Sequence, residues 1–320
     1  MSLRKKQANK LSKPIISTTK LTKSFGSNTV LNELNLQVPK GIAGFIGKNG
    51  AGKTTAIGVL LGLLKPNSGQ ATVFGLDCWH NSFEIRRRIG VMHEVNAYPS
   101  GFTGKRFLEH VAKIYDVTQP NQRINELLID VGLADAKDRP IKTYSAGMFK
   151  RLGLAQALIG DPELAILDEP TANIDPLGRI ALLNKIQEMS KERGTSFFIS
   201  THILSDLERI CNWLSIIDAG KIVDQGDLKE LAEKYSANIY KIEVSNPQLF
   251  LEKVKELSTV ERVWIEGDKV YCKVKDAEAF CGEVPKIAAG LKLQMKSFQQ
   301  MVGTLEEIYT KTEGGTQKCN

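Results

Sequence analysis

Apolar and polar positions alternate from the start of the ordered pattern. Residues 15–21 (IISTTKL) and 30–38 (VLNELNLQV) predict strands. In the second, Leu34, Leu36 and Val38 alternate with Asn35 and Gln37, the period of a half-buried strand. A continuous apolar run over 42–46 predicts a short buried strand. A glycine-rich turn and a helix over about 52–63 follow it. Lys65-Pro66-Asn67-Ser68-Gly69 groups several breakers and ends that helix, and a strand over 71–74 comes next. From roughly 96 to 160 the pattern turns helical, over 105–115, 122–131 and 146–159. From 164 strands and helices alternate again: strands over 164–167, 196–200 and 213–218, helices over 176–192 and 203–210. That alternation predicts a parallel sheet covered on both faces, interrupted by a helical insertion. Beyond about 225 a helix (227–235) precedes strand 238–244, helix 247–257, strands 260–265 and 269–274, helix 276–289 and strand 291–297. The order βαββαβ predicts a small ferredoxin-like α+β domain.

These patterns divide the chain into an N-terminal arm (1–13), an α/β domain (14–225, insertion about 96–160), a C-terminal accessory domain (226–312) and a polar tail (313–320). The 320 residues suit about two domains. No run approaches the ~18 apolar residues that a membrane helix needs, so the chain is not expected to cross a membrane by itself. The net charge is +7, from 43 basic and 36 acidic residues. The excess is local: residues 1–32 hold Arg4, Lys5, Lys6, Lys10, Lys13, Lys20 and Lys23 and no Asp or Glu. A basic arm suits nucleic acid, an anionic membrane surface or plain solvation. Cys78, Cys211, Cys272, Cys281 and Cys319 are scattered, without CxxC spacing, as in a protein with reduced thiols.

Gly47-Lys48-Asn49-Gly50-Ala51-Gly52-Lys53-Thr54-Thr55 matches G-x-x-x-x-G-K-[ST] between an apolar strand and a helix. Glycines let backbone N–H groups turn inward around phosphate oxygens. The helix start adds unpaired N–H groups and its dipole. Lys53 supplies charge toward the β- and γ-phosphates, and the Thr54 hydroxyl is placed to ligate Mg²⁺. A second apolar strand ends in Asp168-Glu169 at its C-terminal edge, where α/β sheets bind ligands. Asp168 is the candidate to hold the metal through water, and Glu169 to orient or deprotonate an attacking water.

Together with four further elements of the chain, these residues resemble the ATP-binding subunit of ABC transporters, over about 15–225. Tyr144-Ser145-Ala146-Gly147-Met148 stands where that family has its LSGGQ signature. LDEPTANIDP supplies the Walker B strand and a D-loop with Asp175, and Ser200-Thr201-His202 resembles the switch-histidine position. Phe25 resembles the aromatic that stacks on adenine. A C-terminal extension with Thr304-Leu305-Glu306-Glu307-Ile308-Tyr309 is most similar to the type-two exporter branch. The resemblance implies a P-loop NTPase sheet with an N-terminal antiparallel part, and hydrolysis of ATP with Mg²⁺. It also implies a second ATP-binding subunit, identical or different, whose γ-phosphate is reached by Ser145, Ala146 and Gly147. An integral membrane permease, with Tyr98, Pro99 and Phe102 in its docking loop or packed locally, completes the expected partners. The expected place is cytoplasmic, peripheral on the inner face of the cell membrane.

Two departures stand out. Tyr144, Ala146 and Met148 replace Leu, Gly and Gln, while Ser145 and Gly147 remain. In the loop after strand 89–92, where the family has a glutamine at the metal, the register points to Glu94, which can still bind Mg²⁺. The rival reading is a soluble ABC ATPase acting on ribosome or nucleic acid. It is disfavoured by the single phosphate loop, the lack of a heptad run and the charge-balanced body.

Overall fold

The computed structural model describes residues 13–94, 97–99, 101–236 and 238–300. The chain forms two compact units that part between Leu228 and Lys229. In the first, an antiparallel sheet is built from β1 (Ile16–Phe25), β2 (Asn28–Leu34) and β3 (Gln37–Val38). After β4 (Ile42–Ile46) and α1 (Lys53–Leu60), β5 (Ser68–Val73) and β6 (Leu76–Asp77) complete that sheet in the order β2-β1-β5-β6, with β3 also on β1. Then come α2 (Ser82–Arg88), β7 (Ile89–Met92) and the helical insertion, with α3 (Gly104–Ile114), α4 (Pro120–Asp130) and α5 (Ala146–Leu158). The unit closes with β8 (Leu164–Asp168), α6 (Pro176–Arg193), β9 (Ser196–Thr201), α7 (Leu204–Ile210), β10 (Trp213–Asp218) and β11 (Lys221–Asp227).

The second sheet has the order β11-β10-β4-β9-β8-β7. Its strands run parallel except β11, which pairs antiparallel with β10. Every residue of β4, β8 and β9 is buried, as expected when both faces are covered. Phe45 and Phe198 stack with ring centroids 5.2 Å apart in this core. Burying each such side chain stabilises by roughly 1.5–3 kcal/mol. Because β4, β9 and β8 are parallel neighbours, the segments leaving their C-terminal ends emerge side by side.

The run 30–38 is two strands rather than one. Thr18 causes the break: its hydroxyl donates to the Leu34 carbonyl and accepts the Leu36 N–H, both at 2.8 Å, replacing ladder bonds with side-chain bonds. Helix α1 stops at Leu60, three residues before the predicted end. The Leu63 N–H reaches the Gly58 carbonyl and the Gly62 N–H the Val59 carbonyl, both 2.9 Å, a Schellman closure. Helix α2 and strand β11 have no counterpart among the elements that the apolar pattern predicts.

Helix α5 lies directly against β7. A Cβ on Gly90 would fall 1.6 Å from the Ala157 carbonyl oxygen, so no side chain fits there. The far end of the insertion is tied down by charge. Buried Arg123 of α4 donates from Nη2 to the Leu158 carbonyl at 2.6 Å and contacts Asp161 at 2.5 Å. Arg193 of α6 reaches Asp130 at 2.8 Å. Replacing Arg123 by methionine removes a charged donor from a buried carbonyl. It is expected to lower unfolding stability by about 1–3 kcal/mol in chemical denaturation. An unchanged midpoint would show that this seam contributes nothing.

The second unit begins with α8 (Leu228–Ser236), whose first residue precedes the division. It continues with β12 (Ile239–Val244), α9 (Pro247–Val254), β13 (Val260–Glu266), β14 (Lys269–Val274), α10 (Ala277–Gly290) and β15 (Met295–Gln300). The sheet order is β13-β14-β12-β15, all antiparallel, which is the ferredoxin-like arrangement. Its core joins Ile242 and Val270 of the sheet to Phe250 of α9 and Phe280 of α10. Burial pushes the Cys272 thiol up to about 12, and Cys78 in the first unit likewise. Both are therefore packing residues, protonated and unreactive at neutral pH. Residues 1–12, 304–309 and Cys319 lie outside the described residues.

Candidate functional site

The loop from Gly47 to Gly52 joins β4 to α1, whose first residue is Lys53. Gly52 turns the chain at φ 107°, a conformation that L side chains rarely adopt, and so frees the N–H groups of the helix start. The Lys53 side chain is buried and folds back over the loop. Its Nζ donates to the Gly47 carbonyl at 2.7 Å and the Lys48 carbonyl at 3.3 Å. A cleft of about 290 Å³ opens above, walled by Lys48, Asn49, Gly50, Gly52, Lys53, Thr54, Thr55, Glu94, Asp168, Glu169 and Val30.

Buried Asp168 ends β8 in this wall. Thr54 Oγ1 donates to its Oδ2 at 3.2 Å, and Ser200 Oγ donates to Oδ1. Glu169 comes next with φ 47°, a left-handed backbone that costs a non-glycine residue about 1–3 kcal/mol. Its N–H is held by the Ser200 carbonyl at 2.9 Å. Its Oε2 accepts from Thr201 Oγ1 at 3.1 Å and lies 3.0 Å from His202 Nδ1. An ionised carboxylate only accepts, so the proton of this contact is assigned to Nδ1. Glu169 Oε1 is buried without a hydrogen-bond partner among the described residues, 3.7 Å from Lys53 Nζ.

The oxygen donors Thr54, Asp168 and Glu94 suit a hard cation such as Mg²⁺. Among the described residues, no group of three or more His, Cys, Asp and Glu could hold a metal alone. Phosphate oxygens and water would therefore have to complete its shell.

Other expected residues stand apart from the cleft walls. Phe25 is 48% exposed at the end of β1, with Lys23 Nζ 5.0 Å from its ring centre, and Val30 is the apolar wall instead. Ser145 caps α5, accepting the Met148 N–H at 3.3 Å. Ala146 and Gly147 form the first turn of that helix. Asp175 caps α6 through the Gly178 N–H at 2.9 Å. Tyr144, the departure before Ser145, is buried and donates to the Ala136 carbonyl at 2.8 Å, anchoring the start of α5. Tyr98 packs against Phe107 and Phe149 and donates to the Phe149 carbonyl at 3.2 Å, so local packing accounts for it. Pro99 is exposed, and Phe102 sits under Arg106. Sequence reasoning missed the apolar pair Phe83 and Ile114, 71% and 72% exposed beside Arg86 and Arg87. It also missed Lys150, a lysine on the buried stripe of α5 with Leu154 and Ala157, whose spacing was the available signal.

A parallel sheet whose neighbouring strand ends bring together a phosphate loop, a buried acid pair and a histidine defines a P-loop nucleoside triphosphatase. The ABC transporter family model matches residues 31–172. The chain is 44% identical over 225 residues to the bacitracin transport ATP-binding protein BcrA of Bacillus licheniformis, covering 69% of this chain and 73% of that protein. It is 30% identical over 311 residues to the daunorubicin/doxorubicin resistance ATP-binding protein DrrA of Streptomyces peucetius, covering 93% and 92%. Among solved structures, cbiO1 of Clostridium perfringens, part of the ABC transporter complex cbiONQ, superposes with a TM-score of 0.63 at 26% identity, covering 70% of this chain and 92% of that one. The chain belongs to the ATP-binding subunits of ABC transporters. It binds ATP and is an ATPase of transport, a subunit type that works with membrane permeases. Among the described residues, no helix is long and apolar enough to cross a membrane.

Proposed function

We propose that this chain hydrolyses MgATP in a site shared between two ATP-binding subunits and so drives export through a permease at the inner face of the membrane. The observation that carries the reading is the buried Oε1 of Glu169, which has no hydrogen-bond partner among the described residues, in the wall of the phosphate cleft, 3.7 Å from Lys53 Nζ. A water on that oxygen would attack the γ-phosphorus, the bond to the β-bridging oxygen would break, and Glu169 would take the proton. Lys53 and the loop N–H groups would hold the phosphates, and His202 would contact the γ-phosphate. Mg²⁺, held by Thr54, Asp168 and Glu94, would offset charge on the phosphate oxygens. Replacing Glu94 by glutamine is expected to raise the Mg²⁺ concentration for half-maximal hydrolysis several-fold, as a charged ligand is lost. Identical Mg²⁺ dependence and turnover would remove Glu94 from the metal site.

Ser145, Ala146 and Gly147 do not line their own chain's cleft, which supports their serving the γ-phosphate of a second subunit. Asp175 would meet the second subunit at the same interface, and Phe25 would stack on adenine. The exposed Phe83–Ile114 patch favours a permease contact more than Tyr98 does. The names of BcrA and DrrA, bacitracin transport and drug resistance, support export. The test is affinity purification of the full-length chain from detergent-solubilised membranes. A polytopic membrane protein is expected to co-purify. Its absence, with salt-sensitive RNA or DNA binding instead, would favour a soluble ATPase acting on nucleic acid.

A further inference from the structure

Lys150 is buried, 7% exposed, in the second turn of the helix that Ser145 caps. Its ammonium donates to two backbone carbonyls, Glu94 at 2.9 Å and Glu169 at 2.8 Å. Those carbonyls belong to the segments that leave the C-terminal ends of β7 and β8. The ladder between these strands ends at Met92 and Leu167, and beyond it the described residues of the two segments form no strand pair with each other. Lys150 joins them where the ladder stops.

The second carbonyl belongs to a residue in an unfavourable backbone conformation. Glu169 sits at φ 47°, and a peptide held there persists only when its surroundings over-determine it. Its N–H is fixed by β9 through the Ser200 carbonyl; its carbonyl is fixed by Lys150 and, more loosely, by the Ala172 N–H at 3.3 Å. Burial lowers the pKa of Lys150, and the nearby carboxylates of Glu94, Glu169 and Asp168 oppose that. A buried ammonium is costly unless its hydrogens are bonded, and an apolar side chain would fill the same stripe of α5 at less cost.

We infer that Lys150 is a positioning residue for hydrolysis, holding the Glu94 segment and the Glu169 peptide in one geometry. Because it projects from α5, that geometry depends on where the helix carrying Ser145 sits relative to the sheet. Movement of α5 would withdraw a donor from both carbonyls at once, linking the orientation of the insertion to the base. The inference rests on the reading of Glu169 as the residue that activates water.

The test uses the full-length chain, with kcat and KM for MgATP measured for Lys150→Met, Lys150→Arg and, in parallel, Glu169→Gln. Methionine, one bond shorter than lysine, keeps most of the apolar stem without donors. Its kcat is expected to fall at least about tenfold while KM stays within about twofold, because the base is misplaced and the phosphate loop is untouched. Arginine presents two N–H groups in a fork and is expected to recover most of kcat. Should the methionine variant not fold, Lys150→Leu takes its place with the same expected fall, since it is likewise apolar and without donors. Parental kcat in the donor-free variant would overturn the inference. So would equal losses in the methionine and arginine variants with KM raised in both, which marks a purely structural role. Parental hydrolysis by Glu169→Gln would instead remove the reading on which the inference rests.

Discussion

Replacing Glu169 by glutamine is expected to lower ATP hydrolysis by about 10²–10⁴-fold, the range lost with a general base. ATP binding is expected to persist. The amide can keep its oxygen toward Thr201 Oγ1 and His202 Nδ1, the two groups now on Oε2. What disappears is the buried oxygen that has no hydrogen-bond partner among the described residues, the atom placed to take a proton. Lys53, Thr54 and the loop are unchanged, so phosphate contacts survive. Phosphate release measured beside equilibrium nucleotide binding separates the two effects. Turnover at the parental rate would remove Glu169 from the role of base.

Replacing Lys53 by alanine is expected to act on binding itself, weakening MgATP affinity by about 10- to 100-fold, the worth of a charge-assisted hydrogen bond. The ammonium is held 2.7 Å from the Gly47 carbonyl and 3.3 Å from the Lys48 carbonyl, at the mouth of the loop. There it can turn toward phosphate without a change of backbone. Its loss also leaves Glu169 Oε1 without the cation now 3.7 Å away. Titration calorimetry with MgATP reads the change, and unchanged affinity would show that the loop amides bind the phosphates alone.

How much of this was legible depended on how local each feature is. The Ile42–Ile46 strand, the loop and Lys53 are contiguous, and a fully buried strand reads as an unbroken apolar run. Asp168 and Glu169 were legible for the same reason at the end of Leu164–Asp168. The order of strands in the sheet then brings both to one cleft, with His202 against Glu169. Features that depend on distant partners were not legible. The break in 30–38 is made by Thr18, sixteen residues before Leu34. Helix α2, with three arginines in its last turn, carries too short an apolar stripe to show a period. Ser200 as a donor to Asp168, and Lys150 as the link between Glu94 and Glu169, exist only once β7, β8, β9 and α5 are assembled. Phe25 is the reverse case, a residue suggested by order along the chain that stands outside the cleft wall within one chain.

On the proposed function, one chain carries half of each ATP site and ATP joins two chains. The most direct measurement is light scattering on the full-length Glu169→Gln variant with MgATP and, separately, with MgADP. The expected mass is that of two chains with ATP and of one chain with ADP. A single-chain mass with saturating ATP bound would contradict it.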